Sequence, residues 1–318
     1  MRGKRILITG AAGFIGSNMT DLLSDENEVV GIDNFSNVDD RFIRPLIEDK
    51  KVRFEKADIR NAEDLKRLGR FDLVIHLAAN SDVRGGSSNP KLDFDVNANG
   101  TLQVLEFMRL TDTKEIAFAS SSTVYGEASV MPTPENYGPY MPISSYGASK
   151  MAGEGFITAY SHYYSFRSTI FRFANIVGKN STHGVIYDFI NKLRKDRKNL
   201  EILGDGTQRK SYMHVSDCVK SIVYVHEKLG KTDIVNLGNF GTTSVWKIAD
   251  YVTEGLGLKG VNYAFTGGEG GRGWKGDVKV AELSIEKLSS LGWKNTFGSD
   301  GAIIQAVKES IEQIAVGN

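Results

Sequence analysis

The stretch that decides the fold is KRILITGAAGFIGSNMTDLL, residues 4–23. It begins with a short, β-branched apolar run of the kind that forms a buried strand. Gly10, Gly13 and Gly16 then follow at intervals of three. In a strand–turn–helix unit, such glycines permit a tight turn, let a pyrophosphate approach the backbone, and let the helix pack closely on the strand. Glycines are also common in ordinary turns, so the triplet predicts a dinucleotide site only when the neighbouring sequence has the matching strands and helix.

The next strand-like run supplies that context. EVVGID, residues 28–33, ends in Asp33, which lies 20 residues after Gly13. A carboxylate at this position accepts hydrogen bonds from the adenosine ribose hydroxyls and repels a 2′-phosphate. The helix N-terminus after the glycines offers N–H groups and partial positive charge to the phosphates. The pattern therefore predicts NAD as the cofactor, in preference to NADP.

Three further strand-like runs continue the pattern: KVRFEKAD (51–58), FDLVIHLAA (71–79) and TKEIAFASSS (113–122). Helical stretches such as NAEDLKRLG (61–69) lie between some of them. Alternating strands and helices predict an α/β fold with a parallel sheet, whose ligands lie beyond the carboxyl ends of the strands. Residues at or just after such ends are Asp58, Ala78, Ala79, Asn97 and Ser121. Small and polar residues are common in turns, which explains the place of any one of these residues but explains poorly that all five lie at strand ends.

Composition excludes several classes of partner. The 318 residues contain 39 Lys plus Arg and 39 Asp plus Glu, so no overall charge favours nucleic acid or an anionic membrane. The single cysteine, Cys218, rules out an internal disulfide framework and is interpreted as a small buried hydrophobe. The apolar stretch near the N-terminus is too short for a signal peptide or a membrane span. We expect a cytoplasmic protein.

A second motif raises a question of chemistry. SSYGASKMAG, residues 144–153, begins with turn formers, continues as helix, and places Tyr146 four residues before Lys150. Side chains at this spacing are neighbours on any helix, so an exposed surface pair is one interpretation. The other is a tyrosine whose pKa is lowered by the nearby cation so that it acts as a base near neutral pH. The spacing alone leaves both open.

Taken together, the motifs resemble the extended short-chain dehydrogenase/reductases, the NAD-dependent nucleotide-sugar epimerases and dehydratases. The resemblance is carried by the glycine loop, DIR (58–60), HLAA (76–79), SSSTVYG (120–126) and YGASK (146–150), and is extended by FRFAN (171–175), GDGTQRKSYMHVSD (204–217) and GDVKV (276–280). Within the family, the likeness is greatest to the UDP-glucose (UDP-galactose) 4-epimerases. It implies a Rossmann-type doubly wound parallel sheet in residues 1–175 and a smaller mixed α/β substrate domain in 176–318, with a return to the sheet near 232–255.

The resemblance also implies roles for individual residues. Tyr146 is the acid/base, Lys150 holds the cofactor ribose and lowers the pKa of the tyrosine, and Ser121 completes the catalytic set. The residues implied to contact NAD are Gly10, Gly13, Phe14, Ile15, Gly16, Asp33, Asn34, Asp58, Ile59, Leu77, Ala78, Ala79, Asn97, Ser120, Tyr146, Lys150 and Phe173. Those implied to contact a UDP-sugar are Ser121, Ser122, Asn175, Arg209, Lys210, Tyr212, Arg272 and Ala281.

The residues after Ser121 indicate which reaction of the family to expect. The 4,6-dehydratases carry a Glu or an Asp-Glu pair there, and the UDP-glucuronate decarboxylases carry a Glu, whereas this chain has Ser122 and Thr123. Without those carboxyl groups, the resemblance implies epimerisation at C4 through a 4-keto sugar. Other C4-oxidising enzymes, such as a UDP-glucuronate epimerase or a GDP- or dTDP-sugar reductase, remain alternatives. A non-catalytic NAD-binding relative is a third, which the intact YxxxK motif disfavours.

The substrate half leaves two points open. The family's diphosphate-binding arginine corresponds to Lys210, with Arg209 beside it, while Arg272 is offset by two residues from a second family arginine. The position that borders the sugar C2 substituent falls on Ala281, whose small side chain predicts that N-acetyl sugars are accepted; the alternative is that Ala281 lines nothing.

His214 has no His or Cys partner at metal-ligand spacing, so no metal is predicted. The resemblance also implies a homodimer formed through the YxxxK helix.

Overall fold

The structure is a computed structural model that describes residues 1–49, 51–274 and 276–316. Its strands are β1 (Arg5–Thr9), β2 (Glu28–Asp33), β3 (Arg53–Lys56), β4 (Leu73–His76), β5 (Glu115–Ser121), β6 (Arg167–Phe173), β7 (Asn175–Val177), β8 (Asn199–Ile202), β9 (Arg209–Lys210), β10 (Tyr212–His214), β11 (Asp233–Leu237), β12 (Thr243–Ser244), β13 (Asn262–Phe265) and β14 (Val280–Ala281). Its α-helices are α1 (Phe14–Ser24), α2 (Arg44–Glu48), α3 (Ala62–Lys66), α4 (Pro90–Asp93), α5 (Gly100–Thr111), α6 (Ser145–Tyr164), α7 (Val185–Lys195), α8 (Val215–Lys228), α9 (Val245–Gly255), α10 (Glu286–Ser290) and α11 (Ser299–Val316).

A seven-stranded sheet in the order β11-β6-β5-β4-β1-β2-β3 forms the centre of the first half. The pairs from β6 to β3 are parallel. Strand order therefore runs outward in both directions from β1 and β4, which is the doubly wound arrangement, and ligands bind where that order reverses. The apolar run that opened the sequence analysis is fully buried, because Ile6, Leu7 and Ile8 are each 0% exposed. The predicted Rossmann-type fold is confirmed.

The chain divides into two compact units, but not at a single boundary. Unit 1 contains residues 1–126, 138–173 and 219–235, and unit 2 contains 127–137, 174–218 and the chain from 236 onward. The first predicted boundary, at 175, lies two residues beyond the change of unit at 173. The predicted return near 232–255 differs more. Residues from 219 already belong to unit 1, and β11 adds to the sheet beside β6, whereas α9 packs with α7 and α11 of unit 2.

Unit 2 is built from small sheets and from helices, of which α7, α9 and α11 pack together. β7 pairs with β10, β8 pairs with β13, and β9 lies between β12 and β14. Helix α7 is amphipathic, with Ile186, Phe189, Ile190 and Leu193 buried and basic residues in its last turn. These side chains join a core with residues of α9 and α11. No helix in the described residues combines the length and the apolar character needed to cross a membrane.

Candidate active site

The glycine loop has the shape that a dinucleotide requires. Gly10 adopts a φ of +72°, and a Cβ there would lie 2.8 Å from the Ala78 main chain, so no side chain fits between β1 and β4. A Cβ on Gly16 would lie 1.9 Å from the Gly10 carbonyl oxygen. Gly13 caps α1 without a side-chain hydrogen bond and no acidic residue lies in the first turn, so the helix N-terminus at Phe14 and Ile15 presents N–H groups suited to an anion. The loop therefore fits NAD phosphates.

The Asp33 carboxylate lies against this loop. Its two oxygens accept hydrogen bonds from the Ala12 N–H (3.2 Å) and the Phe35 N–H (2.9 Å). Burial raises the pKa of Asp33, and these N–H groups act in the opposite direction. The carboxylate is thus fixed at the carboxyl end of β2, where the sequence predicts that it meets the adenosine ribose.

Asp58 is held differently. The Arg60 guanidinium and the Asn34 amide both donate to its carboxylate, with Asn34 Nδ2 3.0 Å from Asp58 Oδ2. The Arg60 hydrogen bonds hold the pKa of Asp58 well below its usual range. The predicted cofactor residues Asn34 and Asp58 therefore bind each other, and Ile59 next to them is buried.

Asn97 ties the loop after β4 to helix α6. It lies in a π-helical turn, Phe94–Asn99, a feature that is frequent at functional sites. Its side chain accepts the Asn80 N–H (2.8 Å) and donates to Ser149 Oγ (3.0 Å), which donates in turn to the Tyr146 carbonyl (2.8 Å). Asn97 therefore helps to place the first turn of α6.

Tyr146 lies in that first turn, and Ser144 caps the helix by accepting the Gly147 N–H. The Ser121 hydroxyl, at the end of β5, is the neutral side chain that acts on the phenol. Desolvation raises the pKa of Tyr146 to about 12; the Ser121 hydroxyl acts against this and the Asp93 carboxylate adds to it. The prediction that Lys150 gives Tyr146 a lowered pKa is wrong for the protein alone, because burial dominates.

Lys150 is buried, so the surface-pair interpretation is wrong. Its Nζ donates to the Ala119 carbonyl (2.8 Å) and lies 5.9 Å from the centroid of the Tyr146 ring. Burial lowers the pKa of Lys150 to about 8, and the charge of Glu154, one turn further along α6, acts against this. Ser121, Tyr146 and Lys150 are thus brought together at the carboxyl end of β5.

Sequence reasoning missed a buried ion pair beside this group. The Arg172 guanidinium is fully buried and donates to both Glu154 oxygens, from Nη2 at 2.6 Å and from Nε at 3.0 Å. The rings of Tyr125 and Tyr140 flank the guanidinium. Ser120, predicted to contact the cofactor, donates its hydroxyl to Glu154 instead. The sequence signal that could have indicated this ion pair is Glu154, an acidic residue four positions after Lys150 on the same helix.

A second missed group surrounds the buried carboxylate of Asp93. Asn80 Nδ2 lies 2.7 Å from Oδ1 of Asp93, and Ser145 Oγ lies 2.5 Å from Oδ2. This side chain therefore joins the loop after β4 to the start of α6. His76, by contrast, is a packed residue, held between the hydroxyls of Thr9 and Thr101.

The remaining predicted side chains of unit 1 lie at strand ends. Leu77, Ala78 and Ala79 follow β4, Phe173 ends β6, and Ser122 begins a 3-10 helix, Ser122–Tyr125. Cys218 is fully buried, which confirms its interpretation as a small hydrophobe, and burial raises the pKa of its thiol. In the part of the chain that the structure describes, no three His, Cys, Asp or Glu side chains form a metal-binding group.

In unit 2, two of the three candidate phosphate-binding cations meet at one acid. Lys210 Nζ lies 2.6 Å from Asp277 Oδ1, and Arg272 Nη1 lies 2.7 Å from the Asp277 carbonyl oxygen. Arg272 also pairs with Glu127. Lys210 and Arg272 thus lie in one cluster around the buried Asp277, in which the carboxylates of Asp277 and Glu127 balance their charges.

The register of the small sheet separates Arg209 from that cluster. In the parallel pair of β9 and β14, Lys210 lies opposite Ala281, and Arg209 lies opposite Val280. Side chains alternate along a strand, so Lys210 and Ala281 share one face while Arg209 points to the other. Arg209 is exposed, and its Nε donates to Thr242 Oγ1 (3.1 Å).

Asn175 and Tyr212 are partners in the pair of β7 and β10. The Asn175 amide lies 3.4 Å from the Ser211 carbonyl oxygen. Tyr212, predicted to contact substrate, is only 4% exposed and belongs to the core of unit 2. Burial, together with the Asp277 charge, raises the pKa of its phenol. Its position is that of a packing residue.

Comparison with known proteins agrees with this geometry. The profile of the NAD dependent epimerase/dehydratase family matches residues 6–238. A Methanocaldococcus jannaschii protein, provisionally named UDP-glucose 4-epimerase, is 37% identical over 298 residues, which cover 91% of this chain and 92% of that protein. The UDP-glucuronate 4-epimerase of Thermodesulfobacterium geofontis is 30% identical over 327 residues, covering 97% of each.

A solved structure is similar over the same extent. The crystal structure of a UDP-galactose 4-epimerase superimposes with a TM-score of 0.88 at 37% identity, covering 98% of this chain and 99% of the other. The fold therefore agrees with that of a solved epimerase. The chain belongs to the NAD-dependent epimerase/dehydratase family.

Proposed function

We propose that the protein interconverts UDP-glucose and UDP-galactose by epimerisation at C4 with bound NAD. The observation that carries the proposal is the group formed by Ser121, Tyr146 and the buried Lys150 at the carboxyl end of β5, in the unit that holds the glycine loop. The residues that follow Ser121 carry hydroxyls and no carboxylate, so the site lacks the acid that would eliminate water or support another fate of a 4-keto sugar.

In the proposed mechanism, the three side chains move a proton while C4 is oxidised and reduced. Bound NAD supplies the two-electron acceptor for C4 and a positive ring charge that favours the Tyr146 phenolate. As the C4 hydroxyl becomes a ketone, its proton passes to Ser121 Oγ while the Ser121 proton passes to the Tyr146 oxygen. The same transfers run backward when the ketone is reduced on its other face. Lys150 fixes the ribose, and no net redox change results.

The cluster around Asp277 supports a nucleoside diphosphate as the part of the substrate that this unit binds. Lys210 and Arg272 lie in one group, and we propose that a diphosphate replaces their partners Asp277 and Glu127 as the anion that both cations bind. We assign the diphosphate to these two residues and to Asn175, and we leave Arg209 out because it points to the opposite face.

Ala281 extends the proposal to N-acetyl sugars. It is the cross-strand partner of Lys210, so a group that reaches from the diphosphate along this face meets a methyl side chain there. Such a position leaves room for a C2 substituent. We therefore include UDP-N-acetylglucosamine and UDP-N-acetylgalactosamine among the substrates.

UDP-glucuronate is the second candidate substrate, because one relative at 30% identity over the whole chain is a UDP-glucuronate 4-epimerase. The deciding experiment incubates purified protein with UDP-galactose, UDP-N-acetylgalactosamine and UDP-glucuronate, without added NAD, and follows the products by NMR. Turnover of the first two supports the proposal. Turnover of UDP-glucuronate alone would show that UDP-glucuronate is the substrate instead, and no turnover of any of the three would refute the proposal.

We also propose a homodimer in the cytoplasm. Helices α5 and α6 carry four large apolar or aromatic side chains that are exposed: Leu110, Phe156, Tyr163 and Tyr164. Two such helices from each of two copies form a four-helix interface that would cover them. Light scattering on the purified protein tests this, and a monomer at micromolar concentration contradicts it.

A further inference from the structure

The buried ion pair of Arg172 and Glu154 joins three elements of unit 1. Ser120 of β5 and Arg172 of β6 are cross-strand partners, so their side chains lie on the same face of the sheet. Glu154 of α6 binds both of them. Its Oε1 accepts hydrogen bonds from Ser120 Oγ and from Arg172 Nε (3.0 Å), and its Oε2 accepts one from Arg172 Nη2 (2.6 Å). One carboxylate therefore fixes α6 against two neighbouring strands.

Helix α6 in this way holds two successive residues of β5. Lys150 donates to the carbonyl of Ala119 (2.8 Å), and Glu154, one helical turn further along α6, binds the side chain of Ser120. Both contacts come directly before Ser121, the last residue of β5. A helix that is joined to a strand at two adjacent positions cannot slide along it. These contacts therefore set the position of the first turn of α6 relative to the catalytic serine.

The other end of Arg172 holds two aromatic residues. Its Nη1 donates to the hydroxyls of Tyr125 (3.0 Å) and Tyr140 (3.2 Å), and its guanidinium carbon lies 4.7 and 4.6 Å from the centroids of their rings. Tyr125 ends the 3-10 helix that follows Ser121, and Tyr140 lies in the segment that leads to Tyr146. Together with Ser120 and Glu154, the ion pair therefore holds the chain on both sides of each catalytic hydroxyl.

An ion pair is not the most stabilising way to fill this space. Taking two charges out of water costs about as much as their attraction returns, and apolar side chains of similar volume often give equal or greater stability. Apolar side chains do not supply direction, however. The planar guanidinium donates along fixed axes to the carboxylate and to two hydroxyls at once. This set of hydrogen bonds specifies one arrangement of the segments that it joins.

We propose that Arg172 and Glu154 are positioning residues, which hold Ser121 and Tyr146 at the separation that proton transfer requires. The inference rests on the proposed function, since the proton transfer belongs to that reaction. A small displacement of a reacting group lowers a rate steeply. Loss of the ion pair should therefore slow the chemical step, while the glycine loop and the cluster around Asp277 still bind cofactor and sugar nucleotide.

The test removes both charges at once in Arg172→Met/Glu154→Met, so that neither is left buried without its partner. The matched control is Arg167→Met/Glu115→Met. Arg167 and Glu115 are also cross-strand partners, and they form an ion pair at the opposite end of the same two strands. Measured are the free energy of unfolding, kcat and KM for UDP-galactose, and the ratio of kcat in H₂O to kcat in D₂O.

We expect Arg172→Met/Glu154→Met to lower kcat by roughly tenfold to a hundredfold, the effect of a displacement of about 1 Å at a reacting group, with KM within about twofold of wild type. The ratio of kcat in H₂O to kcat in D₂O should rise, because the slowed proton transfer then limits turnover more. The control variant should keep the kcat, KM and isotope ratio of the wild type, whatever its free energy of unfolding.

A pair that only stabilises the fold would give a different result. The inference fails if Arg172→Met/Glu154→Met keeps the wild-type kcat, if kcat falls while the isotope ratio stays unchanged, or if the control loses as much activity. Should the variant not fold, Tyr125→Phe/Tyr140→Phe takes its place, because it keeps the ion pair and removes the two hydroxyls that Arg172 holds. It should lower kcat by roughly twofold to tenfold with the same rise in the isotope ratio, and an unchanged kcat overturns the inference. A wild-type protein without activity on UDP-galactose refutes the proposed function instead.

Discussion

Lys150 donates its hydrogen bond to the main-chain carbonyl of Ala119, 2.8 Å away, and is 2% exposed. Because burial lowers its pKa from 10.5 to about 8, the unfolded chain binds more protons than the folded protein between these values. We therefore predict that the free energy of unfolding rises with pH across this window through Lys150, by on the order of 3 kcal/mol. Denaturant titrations from pH 7 upward check this. Lys150→Met should abolish the rise and lower NAD retention, whereas the exposed Lys114→Met should change neither.

Tyr146→Phe removes the proton acceptor while keeping the ring. We expect turnover to fall by about 10²–10⁴-fold, the usual contribution of a general acid–base group. Affinity for UDP, measured by calorimetry, should stay close to wild type. Tyr163→Phe, an exposed residue of the same helix, is the control. A loss of turnover below about tenfold would show that Tyr146 is not the general acid/base.

The pKa of Tyr146 should depend on the cofactor. In the NAD-free protein, the tyrosinate absorbance that Tyr146→Phe removes should develop only near pH 12, because the phenol is desolvated and lies near Asp93. Bound NAD brings a positive charge and should move this titration to lower pH. Asp93→Asn should move it in the same direction without NAD. An unchanged titration on NAD binding would contradict the electrostatic explanation.

The cluster around Asp277 predicts that the three candidate cations, Lys210, Arg272 and Arg209, contribute unequally to UDP binding. Lys210→Ala and Arg272→Ala should each weaken UDP binding by roughly tenfold or more, since hydrogen bonds to charged groups contribute about 1.5–3 kcal/mol. Arg209→Ala should leave the affinity within about twofold, because Arg209 points to the other face of β9. Calorimetry with UDP measures all three. Equal losses in the three variants would show that the strand register does not govern diphosphate binding.

Ala281→Tyr tests the room beside the sugar. A phenol ring opposite Lys210 should depress turnover of UDP-N-acetylgalactosamine selectively and spare that of UDP-galactose. Ala281→Ser, with a side chain of nearly the same size, should retain both activities. Equal loss on both substrates, or no loss on either, would show that Ala281 is not the gate.

What the sequence predicted well was local. The glycine triplet, the strand that ends in Asp33 and the spacing of Tyr146 and Lys150 are all short-range patterns whose geometry follows from a strand–turn–helix unit or a helical turn. The pairs it missed join distant segments. Ser145 meets Asp93 across 52 positions, and Arg172 meets Glu154 across the turn between a helix and a strand.

One wrong prediction and one open assignment have a common physical origin. The pKa of Tyr146 is set by how far the phenol is desolvated, which spacing along a helix does not reveal. Whether Arg209 or Lys210 joins Arg272 is set by the register of β9 against β14, about 70 residues later in the chain. Both depend on tertiary packing, so residue identity alone left them open.

The position of β11 limits how the protein can be dissected. This strand lies beside β6 at one edge of the central sheet, yet the chain reaches it only after residues 174–218 of unit 2. A gene fragment that stops near residue 175 would carry the predicted NAD contacts and still leave β6 with an unpaired row of N–H and C=O groups. Such an edge promotes self-association. Exchange of the sugar-binding half between relatives therefore has to transplant three separate segments, 127–137, 174–218 and the chain beyond β11, while the chain from residue 219 to the end of β11 stays with the recipient. The two halves cannot be exchanged as two continuous pieces of chain.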